Sequence, residues 1–177
     1  MNMKKGIFLD RDGVINEVLT SRVKFVNSPK DLFLLPKVGE AIKLLNDKGF
    51  LVFVVTNQGG VGLGFMSEKT LQSVHEEMEK QVAKSGGLIT EVSYCIHKPK
   101  AGCECRKPGS KMITDLAEKH HIDLQSSYMI GDRDVDMIAG KAAGTRNILI
   151  GDEEPGDIAD WRFPTLFDAA SFIVEKE

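Results

Sequence analysis

Residues 50–56 read Phe-Leu-Val-Phe-Val-Val-Thr, and no other stretch constrains the fold as strongly. The run is apolar up to its final threonine, rich in β-branched side chains, and far short of the ~20 residues that a membrane helix needs. It shows no alternation of polar and apolar positions. A strand made from it must therefore be covered on both faces, as strands are in sheets flanked by helices.

The rest of the chain supplies the covering. After the short apolar run Ile7-Phe8-Leu9, the segment 35–50 puts Val38, Ala41, Ile42 and Leu45 on one helical face, with Gly49 as a stop. Ser67 is an N-cap candidate for a second helix striped by Leu71, Val74, Met78 and Val82. Residues 91–96 form a shorter strand, and Ile113, Leu116 and Ala117 mark a helix after Pro108. A strand over 127–132, a helix over 134–144 ending at Gly144, a strand over 147–151 and a short helix from Thr165 complete the series. Strand and helix alternating in this way predict an α/β fold with a doubly wound, mostly parallel sheet. At 177 residues, with no linker or repeat, residues 1–177 are expected to form a single domain.

A net charge of −3 and a pI near 5.9 give no electrostatic case for a nucleic-acid partner. The lysines near the N-terminus precede an apolar run too short for a signal-peptide core, so a cytoplasmic protein without a membrane partner is expected. Ligands of open α/β sheets collect beyond the carboxyl ends of the strands. Three polar motifs fall there: Asp10-Arg11-Asp12-Gly13, Thr56-Asn57-Gln58, and Gly131-Asp132 with Asp136 downstream. Each alone has a plain structural reading, as a turn, a loop cap and a helix N-cap. An EF-hand is excluded for the first, because its fifth, sixth and twelfth positions are Val14, Ile15 and Ser21. Together, in this order, they point to chemistry.

These motifs, with Lys107-Pro108, resemble the four motifs of the haloacid dehalogenase superfamily of phosphohydrolases, in order from residue 7 to about 150. The resemblance implies a Rossmann-like core and a magnesium-dependent phosphomonoesterase. Asp10 would be the nucleophile that forms an aspartyl-phosphate, and Asp12 the general acid and base. Asp10, the Asp12 carbonyl and Asp132 would hold magnesium, which answers why two acids flank an arginine at a strand end. Asp136, one helical turn beyond Asp132, would act behind the metal. Thr56 and Lys107 would face the phosphoryl oxygens. The intervals between motifs, about 40 and about 50 residues, are consumed by helices and leave no room for a cap domain.

Cys95, His97, Cys103 and Cys105 form two closely spaced pairs in one loop, the donor set of a structural zinc site over residues 95–105. The alternative is three unligated thiols beside an unrelated histidine. Capless members with such a loop resemble two groups, heptose bisphosphate phosphatases and histidinol-phosphate phosphatases. Phe25-Val26, Ser28-Pro29 and Asn16 favour the former, and so a phosphorylated sugar, D-glycero-D-manno-heptose 1,7-bisphosphate cleaved at its 7-phosphate. Val61-Gly62-Leu63-Gly64 stands where heptose enzymes often carry Ala-Arg-Gly. Asn16, Asn57, Gln58, Arg106 and Arg133 are the candidate substrate contacts, with Arg106 expected on the second phosphate. A monomer is expected. A non-catalytic zinc-loop binding protein on the same fold is the rival class. His75, His120 and His121 have no partner suggested by spacing.

Overall fold

The computed structural model describes residues 2–152, 154 and 156–177. Its strands are β1 (Lys5–Leu9), β2 (Phe50–Asn57), β3 (Glu91–Cys95), β4 (Tyr128–Gly131), β5 (Arg146–Ile150) and β6 (Trp161–Phe163). They form one sheet in the order β3-β2-β1-β4-β5-β6, and every neighbouring pair is parallel. The helices are α1 (Val38–Asp47), α2 (Glu68–Ala83), α3 (Lys111–His120), α4 (Asp134–Ala143) and α5 (Leu166–Lys176).

Side-chain alternation builds a core on each face of the sheet. Ile7, Leu9, Val52 and Val54 pack with α1, α2 and α5, whereas Phe8, Phe53 and Val55 pack with α3 and α4. Both faces are buried, so β2 reads as one apolar run rather than as an alternating strand. The expected punctuation is present. Ser67 accepts from Thr70 N, Gly49 follows α1 at φ 98° and Gly144 ends α4 at φ 96°. β6 was not expected: three half-buried residues ahead of Pro164 carry too little pattern to read.

Two features of this fold position the site. The strand order reverses between β1 and β4, so the segments after Leu9 and after Gly131 leave the sheet side by side, at the crevice where such sheets bind ligands. Among the described residues no cap domain is inserted. Instead, residues 17–33 make an excursion closed at its base by Glu17 N to Phe33 O and Leu35 N to Ile15 O, each 2.9 Å. Val23, Val26 and Leu32 anchor this excursion in the core, while Phe25 is exposed. No helix among the described residues is long and apolar enough to cross a membrane.

Candidate active site

Asp10 leaves the end of β1 and Asp132 the end of β4. Between them the chain turns at Gly13, at φ 85°, where any Cβ would run into the Asp132 carboxylate. Glycine there lets the two strand ends meet. Lys107 comes from the loop after β3, 97 residues from Asp10, and is only 3% exposed. Its ammonium donates to Asp10 Oδ1 at 2.9 Å, Asp136 Oδ1 at 2.6 Å and the Val55 carbonyl at 2.8 Å, so all three of its protons are engaged. The backbone of Lys107 is fixed by Asn57, whose Oδ1 accepts from Lys107 N at 2.9 Å and whose Nδ2 donates to Lys107 O at 3.1 Å.

Asp10, Asp132 and Asp136 each bring a carboxylate oxygen within 4.8 Å of the others. Burial, then the charges of Asp10 and Asp136, push the Asp132 carboxyl up to about 8. Burial and Asp10 push Asp136 up to about 6, against the pull of Lys107. Burial would lower the Lys107 ammonium, but Asp10 and Asp136 outweigh it and raise it. One lysine does not neutralise three clustered acids. Asp132 Oδ1 is buried and has no hydrogen-bond partner among the described residues. Hard oxygen donors with an unpartnered oxygen and excess negative charge fit a magnesium ion.

Asp12 is held differently. Its Oδ1 accepts from Arg11 Nη2 at 2.9 Å, Asn16 Nδ2 at 3.0 Å and Arg11 Nε at 3.2 Å, while Oδ2 has only a 3.4 Å contact from Gln58 Nε2. Burial would raise this carboxyl, but the Arg11 charge and the hydrogen bonds from Asn16, Arg11 and Gln58 hold it below the usual range. Thr56 is fully buried at the end of β2 and its Oγ1 accepts from Gln58 Nε2 at 2.8 Å, leaving the hydroxyl proton to donate elsewhere. Asp10, Asp12, Leu19, Phe25, Lys107 and Arg133 line a cleft of about 240 Å³ over these groups.

The comparisons with known proteins agree with this geometry. A HAD-hydrolase-like family model matches residues 104–167. D-glycero-beta-D-manno-heptose-1,7-bisphosphate 7-phosphatase of Haemophilus ducreyi is 35% identical, over 83% of this chain and 82% of that protein. The enzyme of the same name from Rhodopseudomonas palustris is 39% identical, over 77% and 78%. The crystal structure of D,D-heptose 1,7-bisphosphate phosphatase from B. bronchiseptica, complexed with magnesium and phosphate, superposes with a TM-score of 0.87 at 30% identity, covering 98% of this chain and 99% of that one. The chain belongs to the heptose bisphosphate phosphatase family. It is a phosphatase of the haloacid dehalogenase superfamily, without a cap among the described residues.

This member of the family also gathers the four expected zinc donors. Cys95 Sγ lies 3.4 Å from His97 Nδ1 and 3.6 Å from Cys103 Sγ, and His97 Nδ1 lies 3.2 Å from Cys105 Sγ. All four donor atoms are within 4.8 Å of one another, and the thiols are free. A tetrahedron with zinc–sulfur bonds of ~2.3 Å has edges near ~3.8 Å, so the set fits zinc.

The expected substrate contacts fall into two groups. Arg133 lines the cleft at the start of α4. Arg106 lies outside that cleft: its Nη1 reaches the His97 carbonyl at 3.4 Å and borders Gly59. Asn16 is fully buried and holds Asp12, Asn57 clamps Lys107, and Gln58 bridges Thr56 and Asp12. Each of the three holds a neighbouring group in place, and Asn57 lines the cleft as well. Beside the cleft, and sharing Asp12, Phe25 and Asn57 with it, lies a second cavity of about 530 Å³ walled by Phe25, Leu63, Phe65 and Met66, with Lys24 among its lining residues. Sequence reasoning missed Arg11 and His75. Arg11 is buried whole, and His75 Nε2 lies 3.1 Å from its Nη1.

Proposed function

We propose that this enzyme removes the 7-phosphate of D-glycero-β-D-manno-heptose 1,7-bisphosphate through an aspartyl-phosphate on Asp10. The observation that carries this reading is the pairing of Asp10, fixed by Lys107, with Asp12, fixed by Arg11 and Asn16, beside relatives of that activity. Lys107 occupies Asp10 Oδ1, so Oδ2 attacks phosphorus and the bond to the sugar oxygen breaks. Asp12 protonates the departing alkoxide, which leaves poorly as an anion, and afterwards takes a proton from the water that hydrolyses the aspartyl-phosphate. Held low in the free site, Asp12 takes up that proton on its less engaged oxygen, Oδ2, when the phosphate dianion lies beside it and raises the carboxyl's affinity for a proton. The Thr56 hydroxyl donates to a phosphoryl oxygen. Lys107, its protons already engaged, acts on the phosphoryl group as a nearby charge. Magnesium held by Asp10, the Asp12 carbonyl and Asp132 would supply neutralisation of the acids and of the phosphoryl oxygens.

The test is a comparison of kcat/KM across both heptose bisphosphate anomers, fructose 1,6-bisphosphate and histidinol phosphate. The β-heptose bisphosphate should lead. Histidinol phosphate is the second reading, favoured by the apolar wall of Phe25, Leu63, Phe65 and Met66, which suits a flat ring; a lead for that substrate overturns the first. Arg106→Ala should lose more kcat/KM on a bisphosphate than on a matched monophosphate, because its guanidinium borders Gly59, one of the residues that line the second cavity.

Removing magnesium should expose the repulsion among the acids. Asp132 and Asp136 are raised above their ordinary values, so the folded state keeps protons that the unfolded chain releases near pH 4. The stability they confer is complete below about pH 4 and is lost as pH rises through about 6 to 8. Melting temperature without magnesium should fall across that window, and millimolar magnesium should flatten the slope. A slope unchanged by magnesium counts against the site.

Stripping zinc by chelation, or Cys105→Ser, should raise KM severalfold while lowering kcat less. Lys107 keeps its Asn57 clamp, whereas Arg106, next to Cys105 and tied to His97, loses its support. An equal collapse of both parameters would contradict that division.

A further inference from the structure

Arg11 holds Asp12 in the chemistry above, but its buried partner His75 has no part there. We propose that His75 is a positioning residue for proton transfer: it accepts a hydrogen bond from Arg11 Nη1 and thereby fixes the arginine that holds the Asp12 carboxylate. The inference rests on the role of Asp12 as general acid.

The geometry forms a chain of contacts. His75 sits on the buried stripe of α2, between Leu71 and Met78, and is 5% exposed. It lies 64 residues from Arg11 in sequence and meets only the Nη1 end of the guanidinium. The other edge, Nε and Nη2, is directed at Asp12 Oδ1 at 3.2 and 2.9 Å. Arg11 is itself 1% exposed and its side chain cannot swing into water without opening the core. A guanidinium stays protonated and only donates, so His75 Nε2 is the acceptor, and the imidazole is neutral with its proton on Nδ1. Burial, then the Arg11 charge, press the imidazole down to about 3, in keeping with the neutral form.

Packing alone is a poor account of the histidine. His75 Nδ1 is buried with no hydrogen-bond partner among the described residues, and an unsatisfied buried N–H costs about 1–3 kcal/mol. An apolar side chain on the α2 stripe would avoid that penalty. What such a side chain would lack is an acceptor for Arg11 Nη1. Without it, Nη1 is a buried donor with no acceptor, and the guanidinium shifts within its pocket to find one, carrying with it the Asp12 oxygen that it grips. Misplacing a general acid by even a fraction of a bond length lowers proton transfer, a contribution worth about 10²–10⁴-fold in such enzymes.

The distinguishing readout is leaving-group dependence. An alkyl phosphate such as fructose 1,6-bisphosphate needs its departing oxygen protonated; p-nitrophenyl phosphate does not. His75→Met, of similar size but with no nitrogen acceptor, should lower kcat about 10- to 100-fold on the alkyl phosphate and less than about threefold on p-nitrophenyl phosphate, with KM little changed. His75→Gln, whose amide oxygen takes the place of Nε2, should restore most of the alkyl-phosphate rate. Should His75→Met not fold, His75→Asn, polar but too short to reach Nη1, takes its place in the same comparison. Equal losses on both substrates, or a glutamine variant as impaired as the methionine one, overturn the proposal. Asp12→Ala is the control: if it shows no leaving-group selectivity, the general-acid assignment fails, whereas selectivity in Asp12→Ala without selectivity in His75→Met removes His75 alone.

Discussion

Replacing Asp10 with asparagine should abolish magnesium-dependent phosphate release, by four or more orders of magnitude, on sugar phosphates and on p-nitrophenyl phosphate alike. The two substrates fall together because the missing group is the attacking oxygen, which no leaving group can compensate. The side chain keeps its shape, and its amide oxygen still accepts from Lys107 Nζ, 2.9 Å from the Asp10 Oδ1 that it replaces. The fold therefore survives. Charge changes the stability in the opposite direction from the activity. Asp10 is a principal cause of the raised Asp132 and Asp136 carboxyls, second after burial for Asp132 and for Asp136. With that charge gone, the metal-free variant should melt at or above the wild-type temperature at pH 8, and magnesium should stabilise it less than it stabilises the wild type. An inactive protein that is no less stable is the signature of a charge kept for chemistry at a cost in stability. Residual activity within tenfold of wild type would remove Asp10 from the nucleophile's role.

The parts of this site that sequence disclosed are those written locally. Asp10 and Asp132 each follow an apolar strand and Thr56 lies at the end of another, so the α/β pattern carries them to one edge of the sheet. The cysteine loop was legible for the same reason, its four donors lying within one short segment. The six-stranded sheet was readable except for β6, which is too brief for periodicity. What sequence could not give was partnership across distance. His75 sits at a core position of a helix stripe, and only the folded chain brings it to Arg11, 64 residues away. Their neighbours in sequence drew Asn16, Asn57 and Gln58 to the site, yet a one-dimensional pattern does not show that Asn16 and Gln58 are buried against Asp12 and Thr56 while Asn57 both clamps Lys107 and lines the cleft. The signal that could have helped was Arg11 itself. An arginine between two strand-end acids has to find acceptors, and a histidine on a covering helix is a ready one.

Lys107→Met tests how far the same lysine serves both the fold and the reaction. Its ammonium is the buried cation facing Asp10 and Asp136, at 2.9 and 2.6 Å, and it also satisfies the Val55 carbonyl. Removing one member of a buried ion pair leaves an uncompensated charge, with a typical cost of about 3–5 kcal/mol. Asp136, whose carboxyl Lys107 pulls down, would then take up its proton more readily, and with Asp132 already raised the loss should be largest at pH 8 and shrink toward pH 5. Catalysis should fall by at least about 10²–10³-fold, since the site loses the positive charge nearest the nucleophile. Adding Asp136→Asn separates the two effects. That change removes a repelling carboxylate while its amide oxygen can still accept from Arg133 N, the 3.2 Å contact that caps α4. The double variant should recover much of the lost stability by equilibrium unfolding and none of the lost turnover. Recovery of both would mean that Lys107 only holds the fold together, and recovery of neither would mean that its contact with Asp136 is not the source of the instability.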